Sequence, residues 1–528
     1  MIKWLYLLRI PSGYSFLNGF ESVYNKNRKQ KKVISKKFNQ YQLSDELLKA
    51  IEKLNFENPT KVQEAVIPIA LDKQDILCKA QTGSGKTAAF GIPICELLDW
   101  EENKPQALVL TPTRELALQV HEDIFNIGRF KRVKVSALYG KSPIRRQEKE
   151  LKQKTHVVVG TPGRVMDHIE RGTFITDEIR FLVIDEADEM LNMGFIDQVE
   201  EIINEMPKNR VTMLFSATLE NEIQRLSKKY MNDPQIIEIE AEAKRTDAIE
   251  QVVYKTGHDD KLDVLKDVLV VENPDSCIIF CNTQEMVNAI YNLLGKDNKA
   301  CEKIHGGMEQ DDRTLVMQRF KKGAFRYLIA TDVAARGIDV HEISLVINFD
   351  VPWEKETYVH RIGRTGRRGT NGKAITLVSA KEGRLFRDIE NYTDKEIIEK
   401  ECPTLSTVHS LKAAFIEKLQ EKPEEKLDKA HDLTREITKI HINAGKKTKM
   451  RPVDIVGTLC NLEGMTAADI GVITILDVST FVEILNNKGP QVLKELQTRN
   501  IKGRPRKVTL AEDKPVTIAR KKPIRRFY

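Results

Sequence analysis

The chain has 528 residues, 41% of them hydrophobic and 30% charged. At about 150 residues per domain this allows three or four domains, and it excludes a wholly disordered or collagen-like chain. Seven cysteines are scattered without a CxxC pair, which argues against a zinc ribbon or a disulfide framework and fits a reducing compartment. No run reaches the roughly 18 apolar residues of a membrane span, so a cytoplasmic location without membrane partners is expected. The net charge of +7 is uneven. Residues 1–37 carry nine Lys/Arg against one acid (+8), residues 441–528 seventeen against eight (+9), and the body between is −10. Basic ends on an acidic body suit a polyanionic partner.

In chain order, residues 1–37 come first. Trp4–Leu8 is a short apolar stretch broken by Arg9 and Pro11, a poor signal peptide. Asn25–Lys37 is basic and reads as disordered. The segment is expected to be dispensable, or translation to start near Ile34. From residue 38 onward, short apolar runs alternate with helical patterns. Strands are predicted at Asp75–Ala80, Ala107–Leu110, Val133–Leu138, His156–Val159, Phe181–Ile184 and Thr212–Phe215. The rhythm resumes at Cys277–Phe280, Tyr327–Ala330, Leu345–Phe349 and Ala374–Val378. Such continuous runs suit parallel sheets covered on both faces. The polar segment Ala241–Glu250 divides an α/β domain at 38–240 from another at 241–395. Residues 396–450 read as a helical, basic linker. A small unit follows at 451–511, with strands predicted at Val453–Leu459, Val472–Leu476, Thr480–Leu485 and Arg506–Leu510 and helices at Ala467–Ile470 and Gln491–Gln497. That order fits a split-βαβ sheet. Residues 512–528 are a basic tail.

Three motifs carry chemistry. The run Ala80-Gln81-Thr82-Gly83-Ser84-Gly85-Lys86-Thr87 follows a predicted strand and opens a predicted helix. Its glycines let backbone N–H groups surround phosphate oxygens, Lys86 can reach the β/γ-phosphates, and Thr87 can hold Mg²⁺. Ala80 stands where the strict pattern has glycine. Next, Asp185-Glu186-Ala187-Asp188 follows a buried strand, at a sheet edge where open α/β folds bind ligands. Asp185 is the natural Mg²⁺ partner of Thr87, and Glu186 could orient and deprotonate an attacking water. A helix N-terminus decorated with acids would look similar, but the phosphate loop separates the two cases. Finally, His360-Arg361-Ile362-Gly363-Arg364-Thr365-Gly366-Arg367 lies in the second domain. Arginines supplied across a cleft can stabilise developing phosphoryl charge.

Together these motifs resemble those of DEAD-box RNA helicases, and the resemblance spans nearly all of residues 38–395. It implies two tandem RecA-like parallel-sheet domains of the P-loop, superfamily 2 type, plus a small α+β unit. By that resemblance Phe38 would stack on adenine and Gln63, after Pro59-Thr60, would read its edge. Arg114, Thr161, Gly163 and Arg164 would hold the RNA backbone from the first domain. Thr283, Gly306 and Thr331 would hold it from the second, beside Gln310 and Arg313. Asp339 would meet the ATP ribose. Asp188, Ser216, Thr218 and His360 would couple hydrolysis to RNA separation, and Arg364 and Arg367 would be arginine fingers. Two positions depart from the family: Asn55-Phe56 replaces Gly-Phe, and Gly140-Lys141 replaces a glycine doublet. Few aromatics line these loops, so core binding is expected to ignore sequence.

The unit at 451–511 resembles the RNA-recognition domain of DbpA-type helicases, through Val453–Gly457, Asp469–Ile475, Thr480–Ile484 and Lys502-Gly503-Arg504. That family recognises a hairpin of large-subunit ribosomal RNA. The predicted first strand has no aromatic, so phosphate contacts from Lys502 and Arg504 are expected to outweigh base stacking. The expected function is ATP-dependent local unwinding of structured RNA, here 23S rRNA during assembly of the large subunit, by a monomer using ATP and Mg²⁺. An ATP-gated RNA clamp without productive unwinding is the alternative, and a DNA translocase is disfavoured by the resemblance.

Overall fold

The computed structural model describes residues 38–511, apart from 82, 240–248, 258–259, 296–299, 333–342, 367–371, 394–396 and 422–429. The expectations for the N-terminal extension, the basic tail, Thr82, Asp339 and Arg367 therefore lie outside the described residues.

The first lobe is a seven-stranded parallel sheet. Its strands are β1 (Ile76–Lys79), β2 (Ala107–Leu110), β3 (Val135–Leu138), β4 (Val157–Gly160), β5 (Phe181–Ile184), β6 (Val211–Ser216) and β7 (Gln235–Glu238). They lie in the order β3-β4-β2-β5-β6-β1-β7. Separate apolar clusters cover its two faces, one around Phe90, Val109 and Phe215 and one around Leu108, Leu182 and Leu214. This double burial explains the uninterrupted hydrophobic runs.

The second lobe repeats the plan. It contains β8 (Ile249–Thr256), β9 (Cys277–Cys281), β10 (Cys301–Ile304), β11 (Tyr327–Thr331), β12 (Leu345–Asn348), β13 (Gly372–Ser379) and β14 (Ile398–Lys400), in the order β10-β11-β9-β12-β13-β8-β14. The predicted strands are present in both lobes. Four others, β7, β8, β10 and β14, were not foreseen. β13 and β14 both pair with β8, whose apolar run Val252-Val253-Tyr254 is short and flanked by Glu250-Gln251 and Lys255, which hides it from a search for longer continuous runs.

The segment read as a linker contains a helix at Leu405–Gln420, which packs on the second-lobe helix Lys261–Glu272. It also contains the first strand of the C-terminal sheet, β15 (Thr438–Ile442), so that sheet begins earlier than the boundary at 451. β16 (Ile470–Ile475), β17 (Thr480–Ile484) and β18 (Val508–Leu510) complete an antiparallel sheet of order β16-β17-β15-β18. The strand expected at Val453–Leu459 is instead a helix, Pro452–Cys460. Pro452 stands in its first turn, Asp454 accepts from the Arg451 N–H at 3.0 Å, and Ile455 and Leu459, four apart, enter the core.

Candidate active site and RNA-facing cleft

The phosphate loop leaves β1 and turns into the helix Lys86–Leu97. Gly83 and Gly85 hold φ of 78° and 92°, a region open to glycine. A Cβ on Gly85 would also stand 2.7 Å from Gln63 Nε2. Gln63 accepts from the Thr60 N–H at 2.9 Å and donates to the Gly85 carbonyl at 3.2 Å, so it braces the loop from behind. Phe38 differs from its expected posture. Its ring is 1% exposed, packed edge-on against Tyr41 within the first-lobe core, and as placed it offers no open face for a base.

Lys86 is buried, with Nζ 3.7 Å from Asp185 Oδ1 and 3.3 Å from the Ala80 carbonyl. Burial alone would lower its pKa, but Asp185, Glu186 and Asp188 overcome that and raise it. Asp185 is raised by burial, against the pull of Lys86. Glu186 is pushed up to about 7, chiefly by burial and then by Asp185, while Lys86 and Arg364 oppose the rise. Glu186 also occupies a left-handed conformation, φ 53°, where the chain turns from β5 into the helix Ala187–Asn192. A non-glycine residue rarely stays there without support from its surroundings. Asp188 Oδ2 accepts from the Ala217 and Thr218 N–H groups at 3.0 and 3.2 Å, linking the acidic turn to the end of β6. Ser216 Oγ and Ser84 Oγ are buried without a hydrogen-bond partner.

The second lobe meets this cluster. His360 Nδ1 is 2.8 Å from Glu189 Oε1 across the cleft, so the motif engages the acid after Asp188. Arg364 is buried, donates through Nε to the His360 carbonyl at 3.2 Å, and lies close enough to Glu186 to lower its pKa. Arg361, three residues earlier, serves a different purpose. It is 1% exposed, pairs through Nε and Nη2 with both Asp332 oxygens at 2.5 and 2.7 Å, and reaches Asn282 Oδ1 at 2.7 Å. It pins β9, β11 and the helix Lys355–Ile362 together. Spacing alone could not separate it from Arg364.

The lobes also touch along the expected RNA side. Arg114 donates to Gln310 Oε1 at 3.0 Å, Gln310 donates to Glu115 at 3.3 Å, and Arg313 pairs with Glu115 at 2.7 Å. Lys141, one of the departures, donates to the Gly306 carbonyl at 3.4 Å. Arg164 is held by the Ser142 carbonyl and Gln147, both at 3.0 Å. Thr161 and Gly163 stand at the first turn of the helix Pro162–Glu170, Thr331 ends β11, and Thr283 accepts the Met286 N–H at 3.2 Å. Glu115, Gln310 and Arg313 thus form one network across the cleft.

In the C-terminal unit two expectations change. Lys502 is not a free cation, because its Nζ is 2.9 Å from Asp454 Oδ2 and also donates to the Lys449 carbonyl. That pairing draws the Asp454 carboxyl down to about 2. Arg504 remains exposed on a two-stranded ribbon. A pair of aromatic rings does lie together on the sheet. His441 of β15 lies 5.1 Å from the Phe481 ring of β17, with Lys439 Nζ 5.6 Å from the same ring, and both rings are half-buried. The misplaced first strand concealed His441.

Comparison with known proteins agrees with this arrangement. Residues 60–226 match the DEAD/DEAH box helicase family, 260–369 the helicase conserved C-terminal domain, and 439–510 the DbpA RNA binding domain. The chain is 56% identical over 474 residues to the ATP-dependent RNA helicase DbpA of Bacillus subtilis, covering 90% of this chain and 99% of that one. It belongs to the DEAD-box RNA helicases. A second relative, the DEAD-box helicase CshA of Geobacillus kaustophilus, is 44% identical over 70% of this chain and 79% of its own. Among solved structures, S. cerevisiae Dbp5 bound to RNA and ADP BeF3 superposes with a TM-score of 0.65 at 32% identity, over 72% of this chain and 99% of that one. The helicase is therefore an ATP-dependent enzyme acting on RNA, with a DbpA-type RNA-binding domain attached. Among the described residues no helix is long and apolar enough to cross a membrane.

Proposed function

We propose that this helicase opens short duplexes in large-subunit ribosomal RNA during ribosome assembly, acting as a cytoplasmic monomer. The reading rests on the match of residues 439–510 to the DbpA RNA binding domain, joined to a complete two-lobed core. ATP enters beneath the phosphate loop, where the backbone of Gln81–Gly85 and the Lys86 ammonium meet its phosphates. Thr87 and Asp185 are hard oxygen donors of the kind Mg²⁺ prefers, few in number as is usual when phosphate supplies the rest. Bound there, the ion neutralises phosphate charge. Glu186 orients the attacking water and takes its proton. Arg364 faces the γ-phosphate from the other lobe, and the resemblance implies Arg367 as a second arginine finger. RNA laid across Arg114, Thr161, Gly163 and Arg164 on one side and Thr283, Gly306 and Thr331 on the other completes the closed form. A duplex gripped by both lobes cannot stay straight, so a few pairs open. Phosphate release then lets the lobes part.

The test is RNA-dependent ATPase turnover across fragments of ribosomal RNA, with strand displacement measured under ATP and under a non-hydrolysable analogue. One large-subunit hairpin should stimulate turnover far above the rest, and displacement should exceed a single round only with ATP. Equal stimulation by all fragments would remove the ribosomal assignment. Displacement no better with ATP than with the analogue would favour a clamp.

A further inference from the structure

Away from the cleft, the first lobe grips the C-terminal sheet through the turn that follows the helix Arg114–Ile127. Arg129 Nη2 lies 2.8 Å from Glu483 Oε1 of β17, the two side chains being 12% and 6% exposed. Arg132 donates through Nε to the Ile470 carbonyl at 2.8 Å and through Nη2 to the Ala467 carbonyl at 2.5 Å. Lys134 Nζ donates to the Ile473 carbonyl at 2.7 Å. β16 is the edge strand of its sheet, and its register shifts between Ile470 and Ile473. Edge position and irregularity leave carbonyl oxygens available to an outside donor. Cations on a rigid turn are suited to take them.

A second patch repeats the polarity. Lys53 pairs with Glu436 at 2.7 Å, Lys49 donates to Asn486 at 3.0 Å, and Asn55 donates to Asp432 at 3.0 Å. Asn55 is one of the two positions where this chain departs from the family's glycine, so the departure has a use. Two ion pairs, Arg129–Glu483 and Lys53–Glu436, cross the contact with the base on the first lobe and the acid on the C-terminal unit, and Arg132 and Lys134 add donors to backbone carbonyls. Such interfaces set orientation more than they add affinity. It coexists with closed lobes, and it leaves Lys439, His441 and Phe481 accessible.

We propose that the 129–134 turn is a docking seat that fixes the C-terminal unit on the first lobe while the lobes are closed, so that a hairpin held by that unit presents its neighbouring duplex to the cleft in one orientation. The orientation role rests on the RNA-recognition reading above; the seat itself does not.

Hydrogen exchange of the 470–475 backbone, measured on the full chain with unstructured single-stranded RNA and a non-hydrolysable ATP analogue holding the lobes closed, reads the seat. R129E and E483R each set like charges together at a buried contact and should speed exchange there by about tenfold or more. The swapped pair R129E/E483R should return it towards wild type. Arg132→Ala, which removes only carbonyl contacts, should give the same pattern at smaller size. It stands in for R129E if that variant folds poorly. ATPase on unstructured single-stranded RNA should stay at the wild-type rate in all of them. Unwinding of a duplex joined rigidly to the hairpin should fall about tenfold in the single variants, recover in the swapped pair, and tolerate a flexible RNA linker. Unchanged exchange in the single variants, or a swapped pair no better than either, overturns the seat. Altered exchange with unaltered unwinding overturns its orienting role. Wild-type unwinding that ignores the hairpin overturns the RNA-recognition reading and the orienting role with it, whatever the exchange result.

Discussion

The two lobes have the same sheet plan but bring opposite charge to the cleft. The first contributes Asp185, Glu186, Asp188 and Glu189, all buried, with Lys86 as their companion cation. The second contributes His360, which meets Glu189, and Arg364, which lies near Glu186. The acids are uncomfortable by themselves, as the raised pKa of Asp185 and Glu186 records. Asp332 and Asn282 satisfy Arg361 within its own lobe, whereas Arg364 is turned towards the partner lobe's acids. The lesson is a division of labour between arginines three residues apart. One fixes the lobe's shape, and the other completes chemistry that neither lobe can perform alone.

Breaking that complementarity should have graded effects. Arg364→Ala should lower kcat for ATP by roughly 10³-fold or more, the scale of losing an arginine finger, with little change in RNA binding. Steady-state turnover beside RNA titrations checks both. Glu186→Gln should cost roughly 10²- to 10⁴-fold in kcat while ATP and RNA still bind. Undiminished turnover would deny Glu186 the base role. For the wild type, Glu186 acts as a base only when ionised, and its pKa is raised to about 7. Turnover should therefore fall as pH drops below about 7, approaching tenfold per pH unit, and level off above it. A flat profile from pH 8 to pH 5.5 would contradict this. His360→Ala removes the contact to Glu189 but no charge at the phosphates. It should weaken the cooperation between ATP and RNA by about tenfold, the value of one charge-assisted hydrogen bond, measured as the RNA affinity ratio with and without nucleotide.

How much of this could be read from the chain differs by region for a physical reason. Strands such as Leu108–Leu110 and Leu182–Ile184 are buried on both faces, so their sequences are unbroken apolar runs. The phosphate loop and the acidic turn advertise themselves because chemistry fixes their residue types. β15 reads Thr-Lys-Ile-His-Ile, with Ile440 and Ile442 inward and the others outward. That period of two is short and sits inside a charged segment, so it reads as linker. Val453–Leu459 misled in the other direction, because an apolar run of that length fits either element until Pro452 and Asp454 are weighed as helix starters. Within the site, the roles of Arg361 and Glu115 depend on what lies across the sheet or the cleft, which spacing does not encode. Glu115, directly after Arg114, was open to a search for an acid beside a predicted RNA contact. Lys502 was misjudged for a similar reason, since its counter-ion Asp454 lies 48 residues earlier.

The central claim is that the ATP site is completed from both lobes only while RNA lies across them. Dyes placed on the outer helices of the two lobes would follow their separation in the full chain as hydrolysis is recorded. The account expects the short distance and fast turnover to appear together, only when ATP and RNA are both present, and the Glu186→Gln variant to stay closed without turning over. Rapid hydrolysis by molecules whose lobes remain apart would contradict it.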